Sequence, residues 1–296
     1  MYIGEIAALL TAMCWVGSSV SFEYAGKKVG TLVLNLMRLV VSLVIITIIN
    51  FFITSGFQNI ALSTDTIGIL MLSGLIGFVL GDIFLFQAYI EIGARISQLI
   101  MALSPPLAAI LGYFLLGETL GGIEVIGMMV TMLGIIIVIT GREGGSKKLV
   151  IRHSSKGILY AFIGAFGQAL GLILSKIGVR DLNPFVATEI RIIAGIFGFI
   201  LIISYTKNWT KFFKTFKWKS VMTGITIGSL FGPVVGVSLS LTAVKYTSTG
   251  IASTLMALTP ILIIPVSVIF LKEKIKTNEI VGALVGVLGV AIIFLG

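Results

Sequence analysis

The sequence predicts an all-α integral membrane protein, with ten transmembrane helices arranged as two inverted five-helix repeats. Three observations carry this expectation. Long apolar runs recur from end to end, basic residues collect in alternate breaks between them, and the second half of the chain repeats the first.

The chain is 57% hydrophobic and 11% charged, with 35 glycines. A soluble domain of this length needs far more polar surface. The runs meet the roughly 18–20 residues that a bilayer-spanning helix requires. Taken in order they cover 3–24, 31–53, 66–91, 96–116, 121–141, 157–178, 184–205, 220–245, 249–271 and 278–295. No basic region precedes the first run, which is also longer than a signal core, so it is expected to remain as a helix. The breaks are mostly tight, which makes consecutive helices antiparallel neighbours. The longest are Gly141–Lys156 and Thr206–Lys219.

The net charge of +9 does not point to nucleic acid, because the lysines and arginines sit mainly in the breaks. Breaks after the odd-numbered spans hold sixteen of them, and the other side holds Lys176, Arg180 and Lys245. The positive-inside rule makes the sixteen-residue side cytoplasmic and both termini external. The expected location is the plasma membrane of a prokaryote. A single cysteine, Cys14, excludes an internal disulfide and a cysteine-based metal cluster. The only histidine, His153, falls in the basic central break. No metal site, cofactor, phosphate loop or catalytic constellation is expected.

Shifting the second half by 155 positions overlays Met101-Ala102-Leu103-Ser104-Pro105 on Met256-Ala257-Leu258-Thr259-Pro260. Between Leu99 and Gly141, 14 of 43 positions are identical to their counterparts. Gly77 and Gly81 fall on Gly232 and Gly236, and a shift of 153 brings Arg38 onto Arg191. The repeats are expected over 1–145 and 156–296. Each holds five spans, an odd number, so the second must enter the membrane upside down. Such inverted repeats place a binding site near the midplane and let two halves rock around it.

The chain resembles the drug/metabolite transporter superfamily, specifically its EamA-type members. The resemblance rests on Trp15-Val16-Gly17-Ser18, the intramembrane Arg38, Ala88-Tyr89, Ser104-Pro105, Leu116-Gly117-Glu118, Gly127 and Gly134. A second copy follows in Ala243-Val244, Thr259-Pro260, Leu271-Lys272-Glu273, Gly282 and Gly289. It departs at Gln168, which stands where the first copy has Trp15, and at Lys272, which replaces a glycine. The resemblance implies export or exchange of a small compound such as an amino acid.

Asp82 is the sharpest single feature, on the order of 14 Å inside the third span. A carboxylate at that depth needs a partner or a wet cavity. It is either a coupling acid that binds protons or substrate, or half of an ion pair with Arg38. Arg38 and Arg191, being duplicated, are expected to pin helices together. Glu118 and Glu273 are expected to cap helix N-termini. Pro105 and Pro260, with Pro106, Pro233 and Pro265, mark paired helix breaks of the kind that surround a transport site. Trp15, Ser18, Gln87, Ser104 and Gln168 complete the cavity candidates of the first six spans, and Ser238, Thr242 and Thr259 those of the later ones. Expected partners are a small-molecule substrate and the lipid bilayer, with monomer and homodimer both open. The leading expectation is a secondary transporter, proton-driven if Asp82 titrates. An uncoupled exchanger is the alternative within transport. A lipid-modifying enzyme and a passive channel are the alternatives outside it.

Overall fold

The computed structural model describes residues 3–54, 63–117, 121–142, 149–151, 154–247, 249–271 and 276–295. The first half runs through α1 (Ile3–Val29), α2 (Thr31–Ile53), α3 (Thr64–Gly74), a π turn (Leu75–Gly81), α4 (Asp82–Met101), α5 (Ser104–Leu116) and α6 (Gly122–Ile139). The second half begins with α7 (Ser155–Gly178), α8 (Pro184–Tyr205), α9 (Trp209–Thr215) and α10 (Lys219–Ser229). It continues with a second π turn (Leu230–Gly236), α11 (Val237–Tyr246), α12 (Thr249–Met256), α13 (Thr259–Leu271) and α14 (Thr277–Leu295). A short antiparallel ribbon, β1 (Thr140–Arg142) with β2 (Leu149–Ile151), is the exception to helix among the described residues.

Among the described residues, six helical stretches are long and apolar enough to cross a membrane, namely 3–29, 31–53, 64–101, 155–178, 184–205 and 219–246. Shorter apolar helices accompany them at Ser104–Leu116, Val125–Ile137 and Thr277–Gly289. Several starts are set by local chemistry. Ser63 accepts from Thr66 N at 3.1 Å, and Asn183 accepts from Phe185 N at 2.9 Å ahead of Pro184. These side chains satisfy amide groups that have no partner within the first turn. The outer surface is apolar, with Phe52 and Phe114 each 76% exposed. Side chains of that kind suit hydrocarbon rather than water.

The seam between α6 and α14 is the tightest contact between the halves. A Cβ added at Gly134 would lie 2.4 Å from Gly286 N, and one added at Gly289 would lie 2.3 Å from Thr131 N. Gly134 and Gly289 are counterparts in the repeat, and so are Thr131 and Gly286. The seam is therefore self-complementary, and small residues let its two backbones touch. Gly224, Gly228, Gly232 and Gly236, at four-residue spacing, face α1. Gly228 packs on Phe22, Gly232 on Ser18 and Gly236 on Trp15.

The irregularities of the backbone are duplicated too. The two π turns occupy counterpart positions, and each closes with a five-residue step, Asp82 N to Gly77 O and Val237 N to Gly232 O. The second turn contains Pro233, but the first has Phe78 at that place. Proline is therefore not what creates the turn. Glycines at both positions of each pair, 77 with 81 and 232 with 236, are the shared feature.

Helical pairing is broken again at Ala102–Leu103 and at Ala257–Leu258, directly before Pro105 and Pro260. These prolines sit in the first turn of α5 and α13, where the missing N–H costs nothing. Pro106 lies in the same turn of α5, while Pro265 is inside α13. Gly93 (φ 81°) supplies a third break, turning the chain between the two limbs of α4 in a conformation that favours glycine.

Candidate functional site

A single cavity of about 130 Å³ dominates the described structure, and it lies where the duplicated breaks meet. Gly232 and Pro233 come from the second π turn, and Phe78 comes from the first. Ser104 with Pro105 and Thr259 with Pro260 line it from the starts of α5 and α13. Trp15, Ser18, Asp82 and Gln168 complete the sequence-predicted residues that reach it, and Arg38 and Arg191 line it as well. The remaining wall is largely apolar, including Phe22, Phe86, Met101 and Met256.

The centre of the first-repeat wall is Asp82, 4% exposed. Its Oδ2 takes an ion pair from Arg38 Nη2, and its Oδ1 accepts from Gln168 Nε2 at 2.5 Å. Arg38 is itself 2% exposed. Its Nε donates to Asn35 Oδ1 at 2.9 Å, and its guanidinium lies 4.7 Å from the centre of the Phe86 ring. Asn35 also reaches the Asp82 carbonyl at 3.4 Å. Both charges are thus compensated and hydrogen-bonded, as burial demands. Nearby, Gln98 Nε2 donates to Tyr89 OH at 2.7 Å.

Arg191 is different. It is 4% exposed, lines the same cavity, and has no carboxylate at ion-pair distance. Its Nε has no hydrogen-bond partner. Its side chain packs on the Phe78 ring, 4.9 Å away, and on Gly77, where an added Cβ would come 3.0 Å from Nη2, and Asp82 attracts it from beyond ion-pair distance. Arg38 therefore makes an ion pair with Asp82, and Arg191 makes none among the described residues. The physical reason is that the counterpart of Asp82 is Val237.

Three candidates point elsewhere. Gln87 accepts from Thr31 Oγ1 at 2.7 Å, Ser238 donates to Thr188 Oγ1 at 3.2 Å, and Thr242 bonds back to Ser238 O at 2.8 Å. None of the three is among the lining residues. Glu118 and Glu273 lie outside the described residues. Sequence reasoning missed Tyr89, Gln98, Ser240 and Ser253, all of which line the cavity. Two symmetric contacts tie the broken helices to the opposite half. Ser104 Oγ lies 3.5 Å from Ala165 O, and Thr259 Oγ1 lies 3.5 Å from Ala12 O, residues that correspond in the repeat. No group of three or more metal-ligating side chains occurs among the described residues.

A multi-pass helical membrane protein whose two related halves share one central polar cavity is built as a transporter. The chain belongs to the EamA-like transporter family, whose model matches twice, over residues 2–140 and 155–295. It is 22% identical to an uncharacterized transporter of Clostridium kluyveri, over 97% of this chain and 91% of that one. It is also 22% identical to the uncharacterized transporter YetK of Bacillus subtilis, over 95% of this chain and 83% of YetK. One protein of known crystal structure superposes with a TM-score of 0.66 at 16% identity, covering 99% of this chain and 96% of that one. That likeness concerns the fold. The chain is accordingly a transporter and an integral membrane protein, not an enzyme.

Proposed function

We propose that the chain is a secondary transporter that exports a small organic metabolite by alternating access. Its ten membrane helices form two inverted repeats, 1–145 and 156–296, with both termini external. The observation that carries this reading is the duplication of the breaks around the cavity. Both π turns and both helix interruptions recur at the same repeat positions and converge on one site. Two halves with the same joints can exchange conformations at little cost in energy, and each conformation opens the site to one side.

The state of Asp82 favours exchange over proton coupling. Both of its oxygens are engaged, by Arg38 and by Gln168. In this reading Asp82 holds α2 to α4, and the downhill gradient of the substrate itself drives transport.

The test is counterflow in liposomes holding purified protein, using a radiolabelled panel of amino acids, organic acids, nucleosides and lipophilic cations. Saturable uptake that is stimulated by the same unlabelled compound inside is the expected result, and a passive channel cannot produce it. Failure of every panel member to show trans-stimulation overturns the transport reading. The Asp82→Asn variant then decides coupling. PH-driven accumulation by the parent that vanishes in the variant, with counterflow retained, restores proton coupling. A reporter fused to the C-terminus is expected to be accessible from outside, and access from the cytoplasm alone reverses the orientation.

A further inference from the structure

The polar groups facing the cavity differ in a systematic way between the repeats. In the first repeat, Arg38 has Asp82 and Gln98 has Tyr89. In the second, the counterparts are Arg191 with Val237 and Ser253 with Val244. Both partners have been replaced by valine. Correspondingly, Arg191 Nε and Ser253 Oγ are two of only three buried side-chain polar atoms without a hydrogen-bond partner among the described residues. Both residues line the cavity.

A buried guanidinium without an acid is costly, and so is a buried hydroxyl without a partner. One occupant relieves both: a group with acceptor oxygens and a negative charge. The charge count fixes its size. Of the charged residues lining the cavity, Arg38 and Asp82 cancel, and Arg191 leaves one positive charge. Among the described residues the one lining carboxylate, Asp82, is already engaged by Arg38 and Gln168, which leaves it poorly placed to receive an ammonium group. The rest of the wall is largely apolar, with aromatic rings, methionines, leucines and prolines, and is interrupted by the uncharged polar groups of Ser18, Gln98, Ser104, Gln168, Ser240 and Thr259.

We infer that the transported substrate is a small organic monoanion, a monocarboxylate with an apolar or aromatic body, held by Arg191 and Ser253. The site rests on the transport reading for its purpose, but its binding can be measured without transport. Arg191 and Ser253 act as the anchor, and the neighbouring valines keep that anchor open by supplying no internal acceptor.

Equilibrium binding to the full-length protein in detergent is measured with 3-phenylpropionate. Phenylalanine, 2-phenylethylamine and 3-phenylpropanamide serve as zwitterionic, cationic and neutral probes with the same ring. The carboxylate is expected to bind at least about tenfold more tightly than the other three. Arg191→Gln is expected to abolish that preference without lowering the melting temperature, because it removes a buried charge that no carboxylate contacts. Arg191→Lys keeps a weakened preference. Val237→Asp gives Arg191 the internal partner that Arg38 has, so the protein stays folded and carboxylate binding is lost. The inference is overturned by a preference for the amine or amide, by no carboxylate binding, or by binding that survives both Arg191→Gln and Val237→Asp. Loss of binding in Arg191→Gln together with a lower melting temperature, while Val237→Asp still binds, also overturns it, because Arg191 is then structural. Counterflow of the same four probes separates the levels. A bound carboxylate without counterflow overturns transport and leaves the anion site. Counterflow of another probe without carboxylate binding overturns the anion site and leaves transport.

Discussion

At the cavity wall the first repeat pairs its buried arginine with an acid, and the second does not. Arg38 and Arg191 occupy counterpart places, yet one is paired with Asp82 and the other faces Val237. At the start of the fourth helix of each repeat the partners have diverged in chemistry, and both repeats keep one. Glu23 Oε2 accepts from Ala94 N at 2.8 Å, whereas its counterpart Lys176 donates to Thr249 Oγ1, on the counterpart of Ala94. Duplication sets the scaffold, including its glycine contacts and its joints. Divergence then assigns one half to holding structure and the other to holding a ligand.

The largest effect expected from breaking this comparison is in the first repeat. Asp82→Ala strands Arg38 at depth and should cost about 3–5 kcal/mol, read as a lower melting temperature in detergent. The contrast with Arg191→Gln, expected to cost nothing, is the sharpest check on the division of labour. If both variants destabilise equally, the repeats do not differ in this way. Next come Gly134→Ala and Gly289→Ala, counterparts at the α6–α14 seam. Each added methyl group meets backbone, and each should cost about 1–3 kcal/mol by thermal unfolding. Here the two halves should respond alike, and a large difference between them would break the symmetry of the seam. The smallest effect belongs to Glu23→Ala. It removes the acceptor for Ala94 N and should cost about 1 kcal/mol, measured the same way. Lys176→Ala should cost less, because its partner at Thr249 is a hydroxyl rather than a main-chain amide.

Much of the scaffold was legible in the chain. Apolar runs located the helices, and the register of the repeat located Pro105 and Pro260 beside the breaks. The depth of Asp82 and Arg38 was enough to offer their ion pair as one of two readings. Azimuth was not legible, and this is why Gln87, Ser238 and Thr242 were placed at the cavity. Each follows a π turn, where the wider helical step shifts the phase of every later side chain. Depth along the helix selects them, and depth says nothing of the face a side chain takes. A usable signal for the missed residues did exist. Tyr89 with Gln98 and Val244 with Ser253 are counterpart pairs, one polar throughout and one stripped of its partner. Comparing such pairs between repeats locates the unanswered groups without any knowledge of side-chain direction.

The surplus positive charge at Arg191 also makes the empty and the loaded carrier unequal in an electric field. An empty site carrying one positive charge is drawn toward the negative inner face of an energised membrane. A site filled with a monoanion is neutral and feels no such pull. Moving one elementary charge through the whole potential is worth about 2.3 kcal/mol per 100 mV, and a site that crosses part of the membrane feels a part of that. Voltage would therefore return the empty carrier to face the cytoplasm while leaving the loaded one free to turn outward. Exchange, which turns the carrier only when loaded, would stay insensitive to voltage, and only a turnover that includes the empty return would feel it.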